Sequence, residues 1–342
     1  MKPLRFLYWI GNPNSLGAEH FIYLGWKHAV LSSGHFFYEL TDLHADWEVR
    51  INQVNPDIIF LANYCDLTKT GPILREARRR GVFVFLIVGM PLPETYLQAI
   101  RDYDPADVYF GEREPDSMVG FTRATQKPYF LIPNAADRLL HYPTPTVARY
   151  AFDVVFLGNR RTKKSRIFET LLLPLCRDKR YRVGLFGPFW TKSDFALAAA
   201  QNSFYRLGLK GASRAVSNFR ITVPFDEENA LYSSAKICLN FHEREDDGSQ
   251  PHHIVNMRAF KISACGGFQL CDRVGAMPKY FEEDQEIVMA DDAADFRSKI
   301  EHFLSRDGER ERIRLKALER AHGEHTYHNR LNLIINLFEG SN

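Results

Sequence analysis

Short β-branched and aromatic runs alternate with amphipathic stretches along this chain, stop at a proline-marked interval, and then resume. Leu4–Ile10, His35–Glu39, Asp57–Ala62, Val82–Val88, Asp107–Phe110 and Tyr129–Ile132 read as strands. Ala18–Ser32, Ala45–Asn52, Pro72–Arg80, Pro93–Tyr103 and Pro115–Ala124 read as the helices between them. Strands separated by helices predict a parallel sheet covered on both faces. After the interval Pro133–Pro145 the strand candidates are Asp153–Leu157, Arg182–Phe186, Phe219–Val223, Lys236–Phe241, Phe268–Leu270 and Glu286–Met289. Helices are expected near Lys163–Cys176, Asp226–Ser234, Val255–Cys265 and Ala293–Leu304, with helix and irregular loop over Thr191–Ser217. The closing stretch Glu309–Glu339 is helical apart from a break near His322–Thr326.

A length of 342 residues exceeds one comfortable core and suits two α/β domains. The divisions expected are an N-terminal Rossmann-like domain over 1–135, a linker over 136–152, a C-terminal Rossmann-like domain over 153–322, and a last helix over 323–342. In such sheets ligands lie beyond the carboxyl ends of the strands. The 44 Lys and Arg against 42 Asp and Glu argue against general nucleic-acid binding, so any anion site must be local. Five scattered cysteines read as buried thiols in a reducing cytosol, and no CxxC or His/Cys metal pattern appears. The N-terminus lacks a signal-sequence pattern and no window approaches the ~18 apolar residues of a membrane span. A cytoplasmic protein is expected, with a peripheral contact at the inner face of a membrane left open.

Four segments carry chemistry. Gly11–Gly17 (GNPNSLG) joins the first strand to its helix, where Gly11, Asn12 and Gly17 let a ligand approach; a plain strand-to-helix turn fits equally. His20 sits one turn inside that helix. In Val154–Arg166 (VVFLGNRRTKKSR) a strand ends at Gly158 and Asn159, and cations including Arg160, Lys164 and Arg166 follow beside a helix start, a field suited to a diphosphate; a solvated basic loop is the alternative. The polar loop His242–His253 follows another strand and invites a metal reading, but its Asp, Glu and His residues lack a recurring ligand spacing. In Asn256–Asp272 (NMRAFKISACGGFQLCD) a helix carries Arg258 and Lys261, with His253, Met257 and Lys261 four apart on one face. Gly266 and Gly267 then serve as C-cap and as a close approach point. An ordinary core helix with solvated cations is the competing reading.

Six segments in this order resemble the CgeB-like, spore-maturation type glycosyltransferases related to group 1 enzymes: Asp153–Asn159 with Arg166, Val183–Trp190, Leu231–Asn240, Asn256–Leu270, Tyr280–Val288 and His325–Arg330. Leu131–Asp137 resembles that family's approach to its hinge. The resemblance implies an α/β GT-B fold of two Rossmann-like domains with facing parallel sheets and an interdomain cleft. It implies sugar transfer from a nucleotide-sugar donor, a co-substrate rather than a cofactor, to a glycan, lipid-linked or protein acceptor bound mainly by the first domain. It also implies that the last helix crosses back to that domain. Where relatives carry a Glu-x7-Glu pair, this chain has His253 and Lys261; an ammonium only donates hydrogen bonds, so ribose recognition differs here. Lys261 then meets a phosphate, a carboxylated donor or a neighbouring acidic side chain.

A metal-independent transferase acting on bacterial surface polysaccharide or glycoconjugates is therefore expected, with no metal ligands and no cofactor. Arg160, Lys164, Arg166, Arg258 and Lys261 would neutralise the diphosphate, with donor access to the backbone N–H groups of Gly266 and Gly267. An inverting reaction needs a base in the first domain, where His20, Asp66, Glu112 and Glu114 are the candidates. The resemblance favours a retaining reaction slightly. A nucleotide-sugar epimerase of the same architecture, or a silent nucleotide- or glycan-binding subunit, are the rival readings.

Overall fold

The computed structural model describes residues 2–11, 18–41, 46–89, 91–160, 164–217, 223–244 and 254–340. The chain divides into two compact bodies, the first formed by Met1–Leu139, His253–Phe260 and Gly323–Asn342, the second by Leu140–His252 and Lys261–His322.

The first body is built, among the described residues, on six parallel strands, β1 (Arg5–Gly11), β2 (Phe36–Thr41), β3 (Ile58–Leu61), β4 (Phe83–Ile87), β5 (Val108–Gly111) and β6 (Tyr129–Leu131), in the order β2-β1-β3-β4-β5-β6. Its helices are α1 (Ala18–Ser32), α2 (Trp47–Val54), α3 (Leu67–Arg79), α4 (Glu94–Tyr103) and α5 (Val119–Thr125). The strands read as apolar runs because both faces are covered. Leu7, Ile59, Val84 and Leu86 pack on one side with α2, α3 and α4, and Tyr8, Phe60 and Phe85 on the other with α1. The C-terminal helix α14 (Tyr327–Glu339) belongs to this second layer through Tyr327, Leu331 and Ile334. It lies so close to α1 that a Cβ at Gly25 would fall 2.1 Å from the Tyr327 ring. Arg330 fastens its start, donating to the carbonyls of Pro133 (3.0 Å) and Asn134 (3.2 Å).

The second body holds five parallel strands among the described residues, β7 (Val154–Leu157), β8 (Val183–Phe186), β9 (Ile237–Asn240), β10 (Gln269–Asp272) and β11 (Val288–Ala290), in the order β11-β10-β9-β7-β8. Of the strand expected at Phe219–Val223, residues 219–222 lie outside the described residues. After β7, α6 (Ser165–Ile167) runs through a π-helical segment, Phe168–Leu172, into α7 (Leu173–Arg177). Two helices, α8 (Lys192–Arg206) and α9 (Lys210–Ser217), fill the stretch expected as helix and loop. They are followed by α10 (Glu228–Ser234), α11 (Met257–Ala264), α12 (Ala293–Leu304) and α13 (Asp307–Glu324). Phe156, Phe168, Phe241, Leu270 and Phe296 form one core layer, and Tyr232, Cys238, Ile262 and Cys265 the other. Cys176 is exposed, unlike the buried thiols expected throughout, because it falls on the last turn of α7.

In each body the strand order reverses once, between β1 and β3 and between β7 and β9. Such reversals send neighbouring connections to opposite faces and open a crevice at the strands' carboxyl ends.

Candidate active site

The β7–β9 reversal is where the basic segment falls. Gly158 continues the ladder past β7, its N–H donating to Phe186 (3.0 Å) while its carbonyl accepts from Trp190 Nε1 (2.8 Å). Asn159 is half-buried beside it, and the Arg160 N–H donates to the Pro188 carbonyl (3.2 Å). The Arg160 and Arg166 side chains are exposed, and neither guanidinium has a hydrogen-bond or ion-pair partner among the described residues. Lys164 behaves differently from the sequence expectation. It is 7% exposed, and its ammonium donates to the Phe241 carbonyl at 2.9 Å, so it ties the β7 connection to the end of β9.

Beside that tie stands a pair the sequence reasoning passed over. His242, just beyond β9, and Asp272, the last residue of β10, are both buried, with Nδ1 and Oδ1 2.8 Å apart. The His242 backbone N–H also donates to Asp272 (2.9 Å). A carboxylate only accepts, so Nδ1 carries the proton, and Nε2 has no hydrogen-bond partner among the described residues. The available signal was a histidine and an aspartate closing adjacent parallel strands.

Lys261 meets a neighbouring acidic side chain, one of the three partners left open for it. It is 3% exposed and ion-paired with buried Glu228 of α10, while His141 Nε2 lies 3.9 Å from the same carboxylate oxygen. Burial pushes the Glu228 carboxyl up, but Lys261 and His141 outweigh it and hold it below the usual carboxylate range. The two glycines after α11 also correct the expectation, since the Gly266 N–H donates to Ser263 (2.9 Å) and the Gly267 N–H to Ile262 (2.9 Å). Both N–H groups are consumed in ending the helix. Gly266 adopts φ 67°, and a Cβ on Gly267 would sit 2.9 Å from Ile262 and 3.0 Å from the Tyr232 carbonyl, so packing and capping account for both. Arg258 is half-buried in α11, in the portion belonging to the first body.

In the first body Asn63 Nδ2 bridges the β1–β3 reversal by donating to the Ile10 carbonyl (3.1 Å), next to Gly11 at the end of β1. His20 is half-buried in α1, and burial lowers its pKa. Asp66 is exposed and caps α3, accepting from the Thr68 N–H (3.1 Å) and hydroxyl (2.5 Å); these bonds lower its pKa and make it a poor proton acceptor. Glu114 is buried before a short 3-10 turn, where its carbonyl accepts from Ser117. Glu112 follows β5 directly. Burial raises its carboxyl pKa against a hydrogen bond with Asn134 and the charge of Arg113, the direction a general base requires. Asn12, Gly17 and His253 lie outside the described residues. Among the described residues no three His, Cys, Asp or Glu side chains converge as metal ligands.

A profile of the glycosyl transferase-like family matches residues 160–336, more than half of the chain, beginning at Arg160 and including α6, His242, Lys261 and Asp272. The chain belongs to this glycosyltransferase family. No curated protein sequence matches it. The fold is that of the GT-B glycosyltransferases. A glycosyltransferase from Rickettsia africae superposes with a TM-score of 0.68 at 10% identity, covering 99% of both chains. Sucrose-phosphate synthase from Thermosynechococcus elongatus gives 0.63 at 14% identity over 99% of both. HepE of Anabaena, in complex with UDP and glucose, gives 0.63 at 12% identity over 98% of this chain and all of its own.

Proposed function

We propose that this glycosyltransferase takes its sugar from a nucleoside diphosphate donor held at the β7–β9 reversal of the second body. The observation that carries the reading is the pair Arg160 and Arg166, exposed cations without partners among the described residues that flank the connection after β7, inside the family match. Cations placed there offset the charge that grows on the departing diphosphate without a metal. HepE bound to UDP-glucose, a structural neighbour at 13% identity, supports uridine as the first nucleotide to test.

In the transfer the bond from the anomeric carbon to the β-phosphate oxygen breaks, and its electron pair leaves with the diphosphate. The acceptor hydroxyl oxygen forms the new bond. In an inverting reaction its proton passes to a base, for which Glu112 is the candidate whose carboxyl pKa burial raises; in a retaining reaction, which the CgeB-like resemblance favours, it passes to the leaving phosphate. The acceptor is a glycan or glycoconjugate of bacterial surface polysaccharide synthesis. The near-balance of charge argues against nucleic acid, although one structural neighbour is an α-glucosyltransferase in complex with UDP and DNA. Lys261 is paired with Glu228, and a silent nucleotide- or glycan-binding subunit stays the rival reading, which turnover of a donor would exclude.

The test is release of nucleoside diphosphate from a panel of UDP-, GDP-, CMP- and dTDP-sugars by the purified protein, with and without glycan acceptors, counting nucleoside monophosphate for the CMP donors. Turnover of at least one donor is expected. Absence of hydrolysis, transfer and nucleotide binding across the panel would refute the proposal.

A further inference from the structure

The segment Gly187–Trp190, between β8 and α8, has an irregular backbone to which the sugar-transfer reading gives no role. Gly187 sits at φ 110°, and a Cβ there would fall 2.5 Å from the Gly158 carbonyl oxygen, so the exits of β7 and β8 meet backbone to backbone. Phe189 adopts φ 72°, a left-handed conformation that bulky side chains disfavour, and its N–H donates to the carboxylate of Asp194, which is 1% exposed. Strain of this kind persists only where surrounding contacts enforce it, and it collects at binding sites.

What this backbone delivers is Trp190. Its indole Nε1 donates to the Gly158 carbonyl at 2.8 Å, while the Pro188 carbonyl accepts from the Arg160 N–H at 3.2 Å. These two bonds bracket Asn159 and hold the main chain from Gly158 to Arg160. The same indole packs edge-on against Phe168, with ring centroids 5.0 Å apart and planes at 70°. Phe168 lies two residues beyond Arg166 and opens the π-helical segment Phe168–Leu172, a local irregularity that recurs at functional sites. One side chain therefore touches both the exit that carries Arg160 and the helical run that carries Arg166. Neither guanidinium has a partner among the described residues, so the main chain that Trp190 holds sets where the two cations start.

We propose that Trp190 is a positioning residue for the donor: it fixes the main chain at Arg160 against the helical run bearing Arg166, so that both cations reach one diphosphate. The inference rests on the β7–β9 reversal being the donor site, and Trp190 acts there only through the two arginines.

The test is calorimetric titration of UDP, GDP and dTDP into the full chain as wild type, Trp190→Phe, Arg160→Ala with Arg166→Ala, and the triple variant. Phenylalanine keeps a ring beside Phe168 and lacks the indole donor. Trp190→Phe should weaken the nucleotide that the wild type binds most tightly by about three- to tenfold, the range of one lost hydrogen bond. In the arginine-free background the same substitution should change affinity by less than about twofold, because the residues through which it acts are gone. Thermal unfolding checks that each variant is folded, and Trp190→Leu, which also lacks the indole donor, should weaken binding at least as much as Trp190→Phe. A tryptophan with a purely structural role would lower the unfolding midpoint and leave nucleotide affinity unchanged. That result overturns the proposal, as does an equal loss of affinity in both backgrounds. Equal binding by the wild type and the arginine double variant, or no binding of any of the three nucleotides by the wild type, refutes the donor site itself and the inference with it.

Discussion

Replacing Lys261 with methionine removes one charge from a buried pair while keeping its length and most of its apolar stem. Lys261 is 3% and Glu228 5% exposed, so the carboxylate left behind has little solvent to turn to, and His141, 3.9 Å away, is the nearby group that offsets its charge when protonated. Losing one member of such a pair costs about 3–5 kcal/mol. Each kcal/mol moves the unfolding midpoint of a domain of this size by about 2–4 °C, so Lys261→Met should lower it by roughly 6–20 °C. Removing both charges, as Lys261→Met with Glu228→Gln, should recover most of that loss, because no uncompensated charge remains. The pH dependence follows from the depressed Glu228 pKa. The pair's contribution is present above the unfolded carboxyl value of about 4.5 and is lost as pH falls through the lower folded value. In Lys261→Met burial is no longer offset, the carboxyl takes up its proton more readily, and the gap to wild type narrows in acid. Calorimetry between pH 4 and pH 8 on the four members of the cycle measures this. A single variant as stable as wild type, or a double variant that loses the sum of the two singles, would refute the assignment of Lys261 to Glu228.

Three further outcomes follow from the geometry. Gly266→Ala forces a side chain into the left-handed region at φ 67° and should cost about 1–2 kcal/mol in urea unfolding, whereas Gly308→Ala, with open space around it, should not. His242→Ala should cut kcat/KM for the preferred donor by roughly 10- to 100-fold if Nε2 bonds a charged donor group, with Asp272→Asn lowering it less; equal donor kinetics in His242→Ala would make the pair purely structural. Glu112→Gln should be as stable as wild type or more so at pH 8, because a carboxyl whose folded pKa is raised contributes stability only below its unfolded value and loses it as pH rises through the folded one. If Glu112 is the base, the same variant also abolishes the acid limb of the transfer rate, which otherwise lies above the ordinary carboxylate range.

Parallel strands were legible because burial on both faces makes them continuous apolar runs, as in Ile58–Leu61 and Ile237–Asn240. Helices bounded by clear polar signals, Ala18–Ser32 and Ala293–Leu304, fall where the sequence predicts them. The start of α3 did not, since Pro72 reads as a first-turn proline while the Asp66 cap starts the helix at Leu67. The basic segment after β7 was visible as a local concentration of charge. What Lys164 and Lys261 touch was not, because their partners, the Phe241 carbonyl and Glu228, are distant in sequence and chosen by packing. The two glycines were recognised as a helix end, but only coordinates show that their N–H groups are already used.

Titration of UDP into the wild type and into Arg160→Ala with Arg166→Ala, followed by isothermal calorimetry, addresses the β7–β9 site directly. The wild type should bind with a metal chelator present, and the double variant should bind at least tenfold more weakly at unchanged stability, since each charge-assisted bond is worth about 1.5–3 kcal/mol. Equal affinity in the two proteins would contradict the placement of the diphosphate at the end of β7.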